Sequence, residues 1–252
     1  MEMPVLYEDA DVLAVNKLAG VMTHPSFAKA TEGKLENETA SEWFGKKYPE
    51  GGYAHRLDRD TSGVLVFAKN PDALAFLKKA FHDREVKKTY LAFVYGVPKE
   101  RKGTISFDIG RSRKDFRLRS AQPKARGTLR AATTRYEVIA DIKTHALLKV
   151  EPETGRTHQI RVHLKAIHHP IVGDKLYAPG LSKSEVIGNK PQSFRAPSHP
   201  CDLGFERLGL HAYALDLPLP NGGRVRITAP VPGELVPALA RFPGGNAVFA
   251  AS

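Results

Sequence analysis

Short runs of apolar and alternating residues recur along the chain, and most of them are typical of β-strands. We predict a first hairpin from residues 5–8 and 12–17, joined by an acidic turn at residues 9–11. Further strands are expected over residues 64–68, 89–97, 133–142, 146–151, 208–217 and 224–229. No apolar run approaches the roughly 20 residues that a membrane-spanning helix needs. The pattern therefore predicts sheets and no transmembrane helix.

One early segment has the start signals of a helix. Residues 39–48 are predicted to be helical, because Thr39 can cap the first turn and Glu42, three positions later, completes a capping box. Trp43 and Phe44 would be the buried anchors of this helix.

Further helices are expected later in the chain. Asn70 can cap one that has Pro71 at its first position and an apolar stripe of Leu74, Phe76, Leu77 and Phe81. Thr154 is predicted to cap another, in which one face carries Ile160, Leu164 and Ile167. Arg156 would then lie in the first helical turn, where the helix dipole disfavours a cation unless an anion docks there. A closing helix is expected over residues 232–241.

Charge adds a candidate partner to this picture. The 252 residues carry a formal net charge of +11, which favours a polyanionic partner such as nucleic acid. Residues 111–130 hold eight basic side chains and one acid, Asp115. So dense a positive run repels itself unless an anion is near. We interpret it as an irregular loop or edge hairpin laid on a phosphate backbone; a mobile solvated face is the alternative.

The content of cysteine and histidine limits other chemistry. Cys201 is the only cysteine, so neither a disulfide within the chain nor a cysteine-based zinc site is possible. The four histidines between residues 158 and 169 lack the spacing and the acidic partner of a metal site. No signal peptide pattern opens the sequence. We expect a soluble cytoplasmic protein, without metal and monomeric by default.

The block at residues 55–63 concentrates charge next to an apolar run. Five ionisable side chains occupy residues 55–60, and a Thr-Ser-Gly turn then leads into the predicted strand at residues 64–68. A charge at the edge of a core needs a partner. Arg56 and Arg59 flank Asp58 and could keep its carboxylate ionised; a solvated turn with a surface ion pair is the alternative.

The same block carries a family resemblance. His55 to Gly63 resembles the catalytic signature of the RluA-type pseudouridine synthases, His-Arg-Leu-Asp-x-x-Thr-Ser-Gly. Residues 87–96 and 154–164 resemble the second and third motifs of that family, and residues 16–25 resemble its first conserved segment. One departure is Leu18, where the family usually has proline after the lysine.

The resemblance implies a fold and a set of functional residues. The fold would be α+β, with a central mixed, mostly antiparallel sheet in two halves flanking an active-site cleft and helices packed on the sheet. Asp58 would be the catalytic residue, Tyr90 would lie against the substrate base, and Arg161 would pair with Asp58. We expect RNA contacts from Arg56, Arg59, Arg156, His158, Arg111, Arg113, Lys114, Arg117 and Arg119.

The reaction that the resemblance implies is an isomerisation of uridine in RNA. The bond from N1 to C1′ breaks, the base turns, and C5 joins C1′. No electrons are exchanged, so no cofactor is expected. Asp58 would act as nucleophile on the sugar or as base at C2′, and the resemblance leaves both roles open. Tyr90 could assist proton removal at C5; a half-buried strand tyrosine without a catalytic role is the alternative.

Two other classes of function compete with this interpretation. A non-catalytic RNA-binding module would explain the basic run but not the signature around Asp58. A glycoside hydrolase usually needs two placed carboxylates, and Asp60 occupies a variable position of the family string.

The resemblance also predicts how the chain is organised. We expect a single catalytic domain over residues 1–252, without the N-terminal S4-type domain of many relatives, because the first catalytic segment starts by Val5. The substrate would be structured ribosomal or transfer RNA, recognised by residues 111–130 and a long loop at 173–206.

Overall fold

The computed structural model describes residues 2–25, 38–113, 115, 118–121, 125–179 and 203–245. The chain divides into two compact units, which are described separately. The first unit comprises Met1–Lys88 and His211–Pro230, and the second comprises Thr89–Leu210 and Val231–Ser252.

The first unit is built on a mixed sheet. Its strands are β1 (Val5–Glu8), β2 (Val12–Lys17), β3 (Gly52–Tyr53), β4 (Ser62–Ala68), β12 (Leu210–Pro218) and β13 (Arg224–Thr228). The main strand order is β1, β2, β4, β12, β13. In the described part of this unit every pairing is antiparallel except that of β4 with β12. The sheet is therefore mixed and mostly antiparallel, as predicted.

Two helices belong to this unit, and both begin where the sequence predicts. Helix α1 (Ala40–Gly45) follows Thr39, and the predicted capping box with Glu42 is present. Phe44 is buried as expected, whereas Trp43 is only partly buried. Helix α2 (Pro71–His82) follows the Asn70 cap and packs its apolar side into the core formed by β2, β4 and β12.

Strand β4 lies at the centre of that core. All seven of its residues are buried, because β2 and β12 flank it. Helix α2 covers one of its faces, and Phe44 of α1 stacks on Phe67 of the other face. This explains the continuous apolar run in the sequence, which is typical of a strand covered on both faces.

The second unit is built on an antiparallel sheet. Its strands are β5 (Lys87–Tyr95), β6 (Lys102–Ile105), β10 (Thr134–Ile142) and β11 (His145–Pro152), in the spatial order β5, β11, β10, β6. Helix α3 (Gln159–Ala166) packs on one face, against Ala92 and Val94, and the short helix α4 (Val236–Leu239) packs on the other, against Phe93. The alternation of faces along β5 is as predicted.

The basic run at residues 111–130 differs from the prediction. Its described part contributes to a three-stranded antiparallel sheet formed by β7 (Ile109–Arg111), β8 (Arg119–Ser120) and β9 (Arg126–Arg130), with β7 in the middle. Ile109 and Leu118 pack with Val162 of α3 and with Tyr177. A small apolar contact therefore anchors a strongly charged sheet. The density of charge in this part of the sequence did not indicate that contact.

Two helix predictions were wrong in extent. Thr154 does not cap α3; the residue before the helix is His158, in the left-handed conformation with φ of 57°. The Thr154 hydroxyl instead donates to the Gln159 side chain at 2.7 Å. The closing helix covers four residues instead of ten, between glycine-containing and proline-containing turns. Most of the predicted loop at 173–206 lies outside the described residues.

Candidate active site

The loop that carries Asp58 is hydrogen-bonded to Lys17, the last residue of β2, and to the segment that follows this strand. Lys17 is fully buried, and its ammonium donates to the carbonyls of Val21 at 2.7 Å, Leu18 at 2.9 Å and Arg59 at 3.1 Å. The Gly20 amide donates to the same Arg59 carbonyl at 2.9 Å. A buried ammonium is tolerated only when its donors are satisfied, so Lys17 fixes the backbone beside Asp58.

A second pair of bonds fixes the residue on the other side of Asp58. The buried Thr23 hydroxyl donates to the Leu57 carbonyl at 2.9 Å and accepts from the Leu57 amide at 3.1 Å. The backbone on both sides of Asp58 is therefore tied to residues 17–23, which belong to the first family-like segment of the sequence.

His55 braces the start of this loop. Its Nε2 accepts the Val66 amide of β4 at 3.1 Å, and its ring stacks on Phe81 of α2 with centroids 4.7 Å apart. Burial and the nearby charge of Lys88 lower the pKa of His55 to about 3. The imidazole is therefore neutral near pH 7 and uses its lone pair on the backbone amide of Val66.

The Thr-Ser-Gly turn connects the loop to β4. The Thr61 amide donates to the Asp58 carbonyl at 3.1 Å, and the buried Ser62 hydroxyl lies 2.9 Å from Nδ1 of His211 on β12. Gly63 has φ of +116°, and a Cβ there would lie 2.1 Å from the Ala212 carbonyl oxygen. This position requires glycine because β4 and β12 pair closely here.

The charged side chains of the loop are arranged differently from the simplest prediction. Arg59 points to solvent and pairs with Asp60 at 3.1 Å, and Arg56 is exposed. Asp58 itself is partly buried. The idea that Arg59 holds the Asp58 carboxylate is thus not supported, because its guanidinium has the neighbouring acid as partner.

The other two predicted catalytic residues lie in the second unit. Tyr90 is on β5, opposite Val150 of β11, and is partly buried against the apolar core under α3. Arg161 is on α3, and its side chain is only 4% exposed.

Arg161 has a partner that sequence reasoning missed. Its Nε and one terminal nitrogen each lie 2.8 Å from the carboxylate of Asp174, whose side chain is fully buried. Asp174 also accepts the amides of Leu176 and Tyr177, both at 3.0 Å. The only signal in the sequence was an acid shortly after the apolar pair Ile171 and Val172. The pairing of Arg161 with Asp58 stays a prediction.

Tyr177 connects Arg161 to a further predicted residue. Its ring centroid lies 5.0 Å from the Arg161 guanidinium carbon. The Tyr177 hydroxyl lies 2.7 Å from His158 Nδ1 and accepts the Arg119 amide at 2.9 Å. His158, predicted to contact RNA, therefore supports the aromatic ring that packs on Arg161.

The turn before α3 and the small sheet together form a basic pocket of about 430 Å³ in the second unit. Its lining residues are polar, glycine or cationic apart from one isoleucine: Ile109, Gly110, Arg111, Arg119, Gly127, Thr128, Arg130, Gly155, Arg156 and Thr157. Three predicted RNA-binding residues thus meet in one place, joined by Arg130, which was not among them.

One other predicted contact of the basic run, Arg113, lies within the described residues. Arg113 is exposed and does not line the pocket. Lys114 and Arg117 lie outside the described residues.

Arg156 lies in the turn before α3, not in its first helical turn, because the helix begins at Gln159. Its Nε donates to the Ala131 carbonyl at 3.1 Å.

No group of three or more histidine, cysteine or acidic side chains in the described ranges is placed to hold a metal ion. Within the same ranges, no helix has the length and apolar character required to span a bilayer.

Comparisons with known proteins agree with the motifs. The model of the RNA pseudouridylate synthase family matches residues 11–166. An uncharacterized RNA pseudouridine synthase of Chlorobaculum parvum is 37% identical over 92% of this chain and 71% of its own length. The ribosomal large subunit pseudouridine synthase D of Xylella fastidiosa is 36% identical over 98% of this chain and 71% of its own.

A solved structure gives the same result for the fold. The structure of human RNA pseudouridylate synthase domain containing 1 matches 92% of this chain and 84% of its own, with a TM-score of 0.69 and 26% identity. The α+β fold and the predicted signature define an RNA-modifying isomerase. The chain belongs to the RNA pseudouridylate synthase family, in its RluA-type branch.

Proposed function

We propose that this protein isomerises specific uridines of ribosomal or transfer RNA to pseudouridine, with Asp58 as the catalytic residue. The observation that carries this proposal is the fixation of the backbone on both sides of Asp58 by Lys17 and Thr23. A reacting carboxylate needs such a defined position, because small misplacements of a catalytic group reduce its rate severely.

The chemistry assigns each group a task. Asp58 would attack C1′ as nucleophile or remove a proton at C2′, and either route detaches N1 from the sugar. After the base turns, C5 bonds to C1′, the C5 proton leaves, and N1 takes up a proton. In the nucleophilic route the bond between Asp58 and C1′ breaks as the C5 bond forms, and in the other route the proton taken from C2′ returns to C2′, so the reaction is an isomerisation in both. Tyr90 would stack on the detached base and could assist removal of the C5 proton. Arg161 would form an ion pair with the Asp58 carboxylate.

The target uridine must leave its stack before it can react, which costs a few kcal/mol. Arg56 is the candidate to occupy the vacated space, since it is exposed and lies two residues before Asp58. The basic side chains of the second unit would then contact the RNA backbone. A relative named for the large ribosomal subunit makes ribosomal RNA the first substrate to test.

The test uses RNA labelled with tritium at uridine C5, because forming the new bond releases that tritium to water. Wild-type protein should release it from ribosomal or transfer RNA, and Asp58→Asn should release none while it binds the RNA as before. Equal release by the variant would remove Asp58 from the mechanism. Free uracil among the products would instead indicate a glycoside hydrolase.

A further inference from the structure

The basic pocket of the second unit has a composition that limits what it can bind. Four arginines line it, Arg111, Arg119, Arg130 and Arg156, and none of its lining residues is acidic. Within the part of the chain that the structure describes, none of these four guanidinium groups pairs with a carboxylate. The pocket is therefore a concentrated positive site, and the described residues do not neutralise its charge.

The strand register brings two of these charges together. Arg111 of β7 lies directly opposite Arg119 of β8. Like charges that face each other across two strands destabilise a sheet. The neighbouring apolar contacts of Ile109 and Leu118 hold the strands in this register in spite of the repulsion. An anion between the two side chains would turn the repulsion into attraction.

The backbone of the pocket is open to close approach. Gly127 and Gly155 both line it, and a Cβ added to either would meet nothing within 4 Å. A ligand can therefore contact the peptide backbone there as well as the side chains. The Arg156 guanidinium is already oriented by its bond to the Ala131 carbonyl, so part of the site is formed in advance.

The lining also distinguishes the backbone of a nucleic acid from its bases. Many proteins bind single-stranded bases by stacking them on aromatic side chains, and none of the described residues that line this pocket is aromatic. Arginine side chains, threonine hydroxyls and open glycine backbone are groups that contact phosphates without reading sequence.

We propose that this pocket binds phosphate groups of the RNA backbone and so contributes affinity without selecting the uridine. The inference rests on the proposed function, because it takes RNA as the substrate. It assigns Arg130, Gly127 and Gly155 to the interface together with the arginines predicted from the sequence.

The experiment measures binding of a short fluorescent single-stranded RNA at several salt concentrations. Arg119→Gln combined with Arg130→Gln should raise Kd about tenfold and make the dependence of log Kd on log salt shallower by roughly 0.7 for each phosphate that the variant no longer neutralises. The matched control is Lys99→Gln combined with Lys143→Gln, which removes two exposed charges of the same unit outside the pocket. This control should bind nearly as wild type and keep its tritium release.

A second variant tests access instead of charge. Gly155 has an ordinary φ and open space above it, so Gly155→Glu should fold and place a carboxylate in the pocket. It should weaken binding of the RNA at least as much as the double arginine variant. A neutral morpholino oligomer of the same base sequence should bind wild type and pocket variants equally weakly.

Each outcome decides one question. If both pocket variants keep the wild-type Kd and salt dependence, the proposal that the pocket binds RNA phosphates is overturned. Inorganic phosphate that binds tightly to wild type and not to the pocket variants, with RNA affinity unchanged, would assign the site to a free anion and overturn the RNA assignment. Failure of wild type to release tritium would reject the proposed function while leaving the binding result to stand on its own.

Discussion

The buried ammonium of Lys17 donates a hydrogen bond of 3.1 Å to the carbonyl oxygen of Arg59, the residue that follows Asp58. The two residues are 42 positions apart in the chain. This bond joins the end of β2 to the loop that carries the proposed catalytic carboxylate, and the bonds of Thr23 to Leu57 do the same one residue before Asp58.

Replacing Lys17 should therefore affect both stability and rate. Lys17→Met leaves the carbonyl oxygens of Leu18 and Val21 without this donor, while the Arg59 carbonyl keeps the Gly20 amide. Each carbonyl left without a partner costs about 1–3 kcal/mol, so we expect a loss of about 2 kcal/mol or more. Tritium release should fall at temperatures where circular dichroism shows a folded protein, because the loop around Asp58 loses its support. Lys78→Met, at an exposed position of α2, is the control. A Lys17→Met protein with normal stability and rate would disprove this role.

The ion pair of Arg161 with Asp174 gives a second prediction, on stability alone. Both side chains are buried, and removing one charge of a buried pair typically costs about 3–5 kcal/mol. Asp174→Asn should lose stability by about that amount in urea denaturation. Glu137→Gln removes a partly exposed acid that pairs with Lys102 in the same unit and should cost less than about 1 kcal/mol.

A double variant separates structure from catalysis at this pair. Arg161→Met with Asp174→Asn removes both charges and should recover much of the stability that Asp174→Asn alone loses, because no unpaired charge stays buried and the asparagine oxygen can still accept the amides of Leu176 and Tyr177. If Arg161 acts on Asp58, this folded double variant should still release little tritium. Normal release would leave Arg161 with a structural role only.

The parts of the fold that the sequence predicted well depend on local signals. The Thr39 capping box, the Asn70 cap and the alternating faces of β5 each involve residues within a few positions of one another. Local hydrogen bonds and periodicity leave a clear pattern in the sequence, so these elements can be placed from the sequence alone.

The missed features are those decided by contacts between distant segments. Nothing near Lys17 in the sequence indicates that its ammonium bonds the Arg59 carbonyl, and Asp174 lies 13 positions after Arg161 across a turn. The predicted cap at Thr154 failed for the same reason. The Gln159 side chain bonds Thr133 and Thr134 of the sheet, and this tertiary anchor fixes where α3 begins.

The neutral state of His55 predicts how stability changes with pH. The pKa of His55 is lowered from 6.5 to about 3 in the folded protein. Below pH 6.5 the unfolded chain therefore binds a proton at this residue more readily than the folded protein does. The contribution of neutral His55 to the free energy of unfolding is fully present above about pH 6.5 and is lost as the pH falls towards 3. The slope cannot exceed about 1.4 kcal/mol per pH unit for one histidine.

The measurement compares wild type with His55→Gln in urea at several pH values between 7 and 5. The glutamine oxygen can accept the Val66 amide without titrating, so the variant should lose less stability on acidification than wild type. His145, with its pKa lowered to about 4 by burial, contributes the same trend in the other unit and remains in both proteins. Identical pH dependence in the two proteins would show that His55 is not held neutral by the fold.

Gly63 marks the point where β4 and β12 approach too closely for a side chain. Its φ of +116° strains any other residue, and a Cβ would lie 2.1 Å from the backbone oxygen of Ala212. Gly63→Ala should therefore cost about 3 kcal/mol or more, separate Ser62 from His211, and reduce the yield of folded protein. Gly45→Ala is the control, because nothing lies within 4 Å of its Cβ position and α1 ends there; it should leave stability unchanged or slightly higher. If Gly63→Ala and wild type unfold at the same urea concentration, the close pairing of β4 with β12 does not position the loop after Asp58.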